Sequence, residues 1–187
     1  LGVARETTNY LLHMTETMLD VARLETSRWR LHLEPIILHE LIHRVCLPFE
    51  LATRPDQAQI QHVVDVDLPL IWVDQILLQR VLINLISNAI RYTPASGVIQ
   101  IRAWRHSVEE FAISVEDSGQ GIPPEAIPHI FERFYQASQH GQRRGNGLGL
   151  YFCRLAVEAH GGRIAVQSKP DEGSQFVIIL PMRIEPE

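Results

Sequence analysis

The chain has 187 residues, 45% of them hydrophobic and 21% charged, with a net charge of -5 at pH 7. That length holds one sizeable core plus an appendage, the composition is that of an ordinary globular protein, and the negative balance excludes a broad basic surface for nucleic acid or anionic lipid. Two cysteines, Cys46 and Cys153, cannot build a disulfide framework; both fall in apolar helical patterns and read as buried thiols of a reducing compartment.

In chain order, residues 9–27 carry Leu11, Leu12, Thr15, Met18, Leu19, Ala22 and Leu24 at a helical, nearly heptad spacing. A lone helix cannot bury such a stripe. It is either a dimerisation or bundle helix ahead of the domain or a helix lying on its own domain. Residues 29–34 read as a strand ended by Pro35, and 38–52 as a helix. Residues 60–66 and 70–73 read as strands. Asp74 caps a long helix to about Tyr92, stopped by Pro94. Residues 98–105 and 110–116 form two strands joined by a turn near Ser107. A loop-rich stretch runs from 117 to 146, then a helix from about 148 to 160, ended by Gly161-Gly162. Strands at 163–168 and 175–180 close the chain around the turn Pro170-Asp-Glu-Gly173. Strand pairs alternating with helices indicate an α+β sandwich, a mixed sheet covered on one face. No apolar run reaches membrane-spanning length, and no signal-peptide pattern opens the chain. A helical pattern starting almost at Leu1 reads as part of something longer.

On the helix after Asp74, Leu78, Val81, Leu82, Leu85 and Ala89 share one face at ~100° per residue. Asn84, Asn88, Arg91 and Tyr92 border it. Asparagine is a modest helix former that competes for backbone bonds. This pair is either simply half-exposed or offers a carboxamide oxygen to a hard cation, with Arg91 near phosphate charge; magnesium takes few protein ligands and many phosphate or water oxygens. Asp117 ends the apolar run Phe111-Ala-Ile-Ser-Val115. Its carboxylate suits the exocyclic amine of adenine, or else the following amides of its own turn. Gly119 and Gly121 allow backbone to approach a flat ring. The aromatic stretch Ile130-Phe-Glu-Arg-Phe-Tyr135 gives way to polar residues 137–144, the make-up of a mobile lid. Gly145, Gly147 and Gly149 then open a helix whose free amides hold phosphate oxygens, with Arg143 and Arg144 adding positive charge.

These segments, in this order, resemble the ATP-binding catalytic domain of bacterial sensor histidine kinases, of the Bergerat or gyrase-like ATPase fold. The resemblance runs from about Trp29 to Pro181. It rests on the asparagine box Asn84-Leu-Ile-Ser-Asn-Ala-Ile-Arg-Tyr-Thr-Pro94, the glycine box Asp117-Ser-Gly-Gln-Gly121 and the phenylalanine box Phe131-Glu-Arg-Phe-Tyr135. A second glycine box, Gly145-Asn-Gly-Leu-Gly-Leu150, and a last one, Gly173-Ser-Gln-Phe176, complete it. It implies a two-layer α/β sandwich with a mixed sheet over 28–187, preceded by a helical bundle segment over 1–27. In it, Ala22-Arg-Leu-Glu25 resembles the second helix of a dimerisation and phosphotransfer bundle.

The resemblance further implies ATP and Mg2+ as cofactors, with Asn88 as the magnesium ligand and Asp117 on the adenine amine. Tyr92 packs near the base, and Asn84 and Arg91 lie near the phosphates. Ile122, Phe131, Tyr135, Leu148, Leu150 and Ser174 join the glycines in the nucleotide pocket. Two departures stand out. The family's phosphoaccepting histidine lies on a first bundle helix, and no such helix is present. His39-Glu40-Leu41 mimics the motif, but Ile42-His43 follows, as on an ordinary surface helix; His13 precedes Met14. The acceptor is therefore expected upstream. Secondly, Gln136 stands where many relatives carry a basic residue; Arg133, Arg143 or Arg144 compensates, with Asn84 and Arg133 as the catalytic side chains.

Hydrolysing members of the fold place a glutamate at the position of Asn84 to activate water, and an amide cannot take a proton. The expected activity is therefore a protein-histidine kinase of a homodimeric, cytoplasmic or membrane-anchored parent. Its phosphoryl group moves to a bundle of its own or a partner subunit, and then to a response-regulator receiver domain. No nucleic-acid partner is expected. The rivals are a degenerate nucleotide-binding sensor or scaffold, and an anti-sigma-type serine kinase.

Overall fold

The computed structural model describes residues 2–26, 29–52, 58–65, 68–136 and 146–182, with side chains from residue 14 onward. Helix α1 spans Gly2–Glu25, β1 Glu34–Ile36, α2 Leu38–Ala52, β2 Gln59–Val64, β3 Ile71–Val73 and α3 Gln75–Tyr92. Strands β4 (Val98–Arg105) and β5 (Glu110–Asp117) form a hairpin, α4 spans Gly149–Ala159, and β6 (Arg163–Lys169) and β7 (Gly173–Pro181) end the fold. The main sheet runs β2-β4-β5-β7-β6, with β2 and β4 parallel and the other neighbours antiparallel. This is the expected mixed sheet of an α+β sandwich. β1 and β3 pair separately as an antiparallel ribbon.

The core lies between the sheet and helices α2, α3 and α4. Strand β4 alternates, turning Ile99, Ile101 and Ala103 inward and Val98, Gln100 and Arg102 outward. Helix α3 meets this layer with Leu78, Val81, Leu82 and Leu85, all at most 1% exposed, and α4 does so with Phe152, Cys153 and Ala156. Asp74 starts α3 as its N-cap: Oδ1 accepts from Leu77 N–H at 3.0 Å. Its backbone N–H donates to His160 Nε2 at 3.1 Å, so Nδ1 carries the ring proton and donates to the Ala156 carbonyl at 2.7 Å. The start of α3 is thereby tied to the end of α4.

One expected strand is displaced. Residues 29–33 are not a strand; Pro35 sits inside β1, opposite Trp72. A two-stranded ribbon has only edges, where a missing N–H need not remove a ladder bond. Residues 29–32 are instead held by Asp74, whose Oδ2 accepts from Trp29 Nε1 and His32 N–H, each at 3.2 Å. Strand β2 begins one residue before its expected start and ends at Val64; the expected end, Val66, lies outside the described residues.

The last turns of α1 lie on the domain. Thr17, Asp20 and Val21 are buried, and α1 packs on α4. Asp20 pairs with Arg80 of α3, and Tyr151 of α4 donates to Glu25 at 2.6 Å. No described helix is long and apolar enough to cross a membrane.

Candidate nucleotide site

Helix α3, the end of β5 and the start of α4 converge on a cleft of about 1010 Å³. Asp117 leaves β5 at its floor, 7% exposed. Its Oδ1 accepts the Gly119 N–H at 2.9 Å. Burial pushes the carboxyl above its ordinary pKa, opposed by the backbone N–H groups of Gly119 and Ser174. Asp117 is thus a turn aspartate, as one of the two readings expects, and it also lines the cleft.

The loop after Asp117 presses onto protein backbone. A Cβ at Gly119 would stand 2.5 Å from the Tyr92 carbonyl oxygen, and one at Gly121 (φ 68°) would run into the Lys169 carbonyl. Ile122 N–H donates to Ser168 Oγ at 2.8 Å. These glycines thus serve close packing of the loop on the end of α3 and on the β6–β7 turn, and both remain on the cleft wall.

Asn84, Asn88, Arg91 and Tyr92 all line the cleft, as expected. Asn84 Nδ2 donates to the Arg80 carbonyl at 2.9 Å, and its Oδ1 lies against Gly149, where a Cβ would stand 2.9 Å away. The asparagine therefore sits directly beside the first turn of α4. The N-cap residue of α4, Leu148, makes no side-chain cap bond, which leaves first-turn amides for a ligand's oxygens. Leu150 and Ser174 line the cleft too. Leu148 is fully buried and supports from behind; its N–H donates to Asn146 Oδ1 at 3.1 Å.

The phenylalanine box and the second glycine box touch each other. Phe134 N–H donates to the Gly147 carbonyl at 3.0 Å, and Gly147 takes φ 67° with no room for a Cβ beside Phe134 and Tyr135. Tyr135 lines the cleft; Phe131 stands behind it, edge-on to the lining ring of Phe176 at 6.3 Å. Arg133 does not line the cleft. Its guanidinium lies 3.6 Å from the Glu25 carboxylate of α1 and 4.9 Å over the Phe134 ring. Arg143, Arg144 and Gly145 fall outside the described residues. Among the described residues, Arg91 is the cation on the cleft wall.

The wall chemistry suits a nucleoside triphosphate: a buried carboxylate, two carboxamides, Arg91 and the start of α4 share one cleft. Residues 73–184 match the family model of histidine kinase-, DNA gyrase B-, and HSP90-like ATPases. This chain belongs to that ATPase family.

The chain is 32% identical over 179 residues to the adaptive-response sensory kinase SasA of Synechocystis sp., covering 96% of this chain and 47% of that protein. It thus spans about half the length of the curated relatives it matches. The full-length ShkA structure in complex with AMPPNP superposes with a TM-score of 0.87 at 27% identity, over 100% of this chain and 39% of that one. Histidine kinase ThkA in complex with response regulator protein TrrA superposes at 0.74 with 29% identity, over 94% of this chain and 49% of that one. These likenesses place the ATPase domain in the sensor histidine kinase branch and favour that reading over the sensor-only and serine-kinase rivals.

Several wall residues of the ATPase domain went unread in the sequence. Ser87, Gln120 and Asn146 stand inside the boxes, beside residues that were read. Asp171 reaches the cleft from the β6–β7 turn, and Thr17 from α1, through tertiary packing that no local pattern announces.

Proposed function

We propose that this domain binds Mg-ATP and donates the γ-phosphoryl group to a histidine on a helical bundle of its own or a partner subunit. The phosphoryl group would then pass to an aspartate of a response-regulator receiver domain. The observation that carries this reading is the placement of Asn84, an amide, between α3 and the first turn of α4. At that position an amide stands where a carboxylate would take a proton from water, so the γ-phosphoryl is kept for a delivered nucleophile.

Asp117 accepts the adenine amine, and Tyr92 and Ile122 flank the base. Arg91 and the first-turn amides of α4 hold phosphate oxygens. A magnesium ion, for which Asn88 offers a hard oxygen ligand, would neutralise phosphate charge. An imidazole nitrogen attacks the γ-phosphorus in line as the bond to the β–γ bridging oxygen breaks, and ADP leaves. Positioning and charge neutralisation supply most of the rate.

Residues 1–27 belong, in this reading, to the second helix of the bundle, and 28–187 to the catalytic domain of a homodimer. The contacts of Asp20, Glu25 and Thr17 support a helix whose position is sensed at the cleft. The partner complex of ThkA supports a receiver domain as the next acceptor. The test is transfer of labelled γ-phosphate from ATP to the histidine-bearing bundle of the parent protein. The expected product is an acid-labile, base-stable phosphobundle. Binding of ATP with no transfer would contradict the kinase reading and leave a nucleotide sensor.

A further inference from the structure

Away from the cleft, the face of α2 that meets β2 gathers side chains of metal-ligand type. His39, His43, Cys46 and Glu50 recur at spacings of four, three and four. At about 100° per residue they fall within about 60° of one another on one stripe of the helix. Helix α2 packs on β2, whose alternation turns His62 to the less exposed side with Ile60 and Val64. His62 Nδ1 lies 3.2 Å from Glu50 Oε1. The ligand atoms of Cys46, Glu50 and His62 all lie within 4.8 Å of one another. The His43 ring is centred 5.5 Å from that of His62, and the His39 ring 6.4 Å. The His62 and Glu50 side chains are 19% and 29% exposed, so the cluster is reachable from solvent.

We propose that Cys46, Glu50 and His62 form a binding site for a zinc-class divalent ion, completed by His43, the nearer flanking imidazole. Thiolate, imidazole and carboxylate together are a zinc donor set. Magnesium and calcium take oxygen ligands and would not use this sulfur and these nitrogens. With bonds of about 2.0–2.3 Å, tetrahedral ligand atoms stand about 3.3–3.8 Å apart. The His62–Glu50 pair, at 3.2 Å, stands just inside that spacing, and the three-atom set, within 4.8 Å, reaches it with shifts of about 1 Å. The ion would clasp α2 to β2, an edge strand of the described sheet. Burial, and then Glu50, push the pKa of the Cys46 thiol up to about 12. The incoming cation displaces that proton: the S–H bond gives way to a metal–sulfur bond and one proton is released.

Titrating the chelator-stripped chain with Co2+ tests the proposal. The expected result is saturation at one equivalent, with visible bands of a tetrahedral ion and a thiolate-to-cobalt charge-transfer band in the near ultraviolet; added Zn2+ abolishes both. His62→Gln should lower Co2+ affinity at least about tenfold and leave affinity for an ATP analogue unchanged. Zn2+ should raise the melting temperature of the wild type and not of this variant. Cys46→Ser, if it folds, should lose the charge-transfer band; His62→Gln carries the test if it does not. Absence of saturable binding, binding indifferent to His62→Gln, or wild-type bands with no thiolate contribution would each overturn the proposal.

Discussion

Asp117 holds a carboxylate where burial resists charge. Its pKa is raised in the folded state, so the stability it contributes is present below the unfolded carboxylate pKa and is lost as pH rises through the folded pKa. At neutral pH the ionised form therefore costs stability. Asp117→Asn keeps an acceptor for the Gly119 N–H and removes that cost. It should raise the urea midpoint at pH 7 while lowering ATP-analogue affinity about tenfold or more; a fall in both would assign the residue to folding alone. Asn88 is half-buried and borders the core face without filling it. Asn88→Ala should abolish the magnesium dependence of analogue binding in calorimetry and change stability by less than about 1 kcal/mol. At this scale the sequence showed which side chains have the right chemistry, because carboxylate, amide and glycine types are fixed by composition. It did not show their partners. Gly119 and Gly121 answer to the Tyr92 and Lys169 carbonyls, which are distant in sequence. Arg133 faces Glu25 across an interface that no local motif encodes.

Helices α2, α3 and α4 were legible because each carries its own apolar period, and α3 carries its own cap at Asp74. The hairpin β4–β5 was legible from near-alternation in β4, an apolar run in β5 and the turn near Ser107 between them. β1 was not, because three residues carry no period and Pro35 argues against a strand unless the strand is known to lie at an edge. The Phe134–Gly147 hydrogen bond joins two elements, locking the phenylalanine box to the start of α4; the lid expected over 137–144 lies outside the described residues. At φ 67° a β-branched side chain is strained by about 1–2 kcal/mol before any clash. Gly147→Val should therefore weaken ATP-analogue binding severalfold while the sheet's hydrogen-exchange protection stays intact. Equal binding by this variant would separate the glycine box from the ligand.

The whole molecule couples α1 to the cleft through few contacts. Asp20 meets Arg80, and the Arg80 guanidinium lies 4.9 Å over the Phe152 ring of α4; Arg80 also offers its carbonyl to Asn84. Arg80→Ala should cost about 1–3 kcal/mol in chemical denaturation, since it leaves the buried Asp20 carboxylate with the more distant Arg23, 3.8 Å away. This docking of a leading helix on its domain was not decidable from residues 9–27, whose stripe suits either a bundle or a domain face. Nor does the sequence order β2-β4-β5-β7-β6; that follows from long-range pairing.

The central claim, a cleft that reads adenine through Asp117, is tested most directly by comparing affinities for non-hydrolysable ATP and ITP analogues in magnesium. Hypoxanthine presents a carbonyl where adenine presents an amine. The wild type should bind the ATP analogue at least about tenfold more tightly, and Asp117→Asn should narrow that gap. Equal affinity of the wild type for the two analogues would contradict the account.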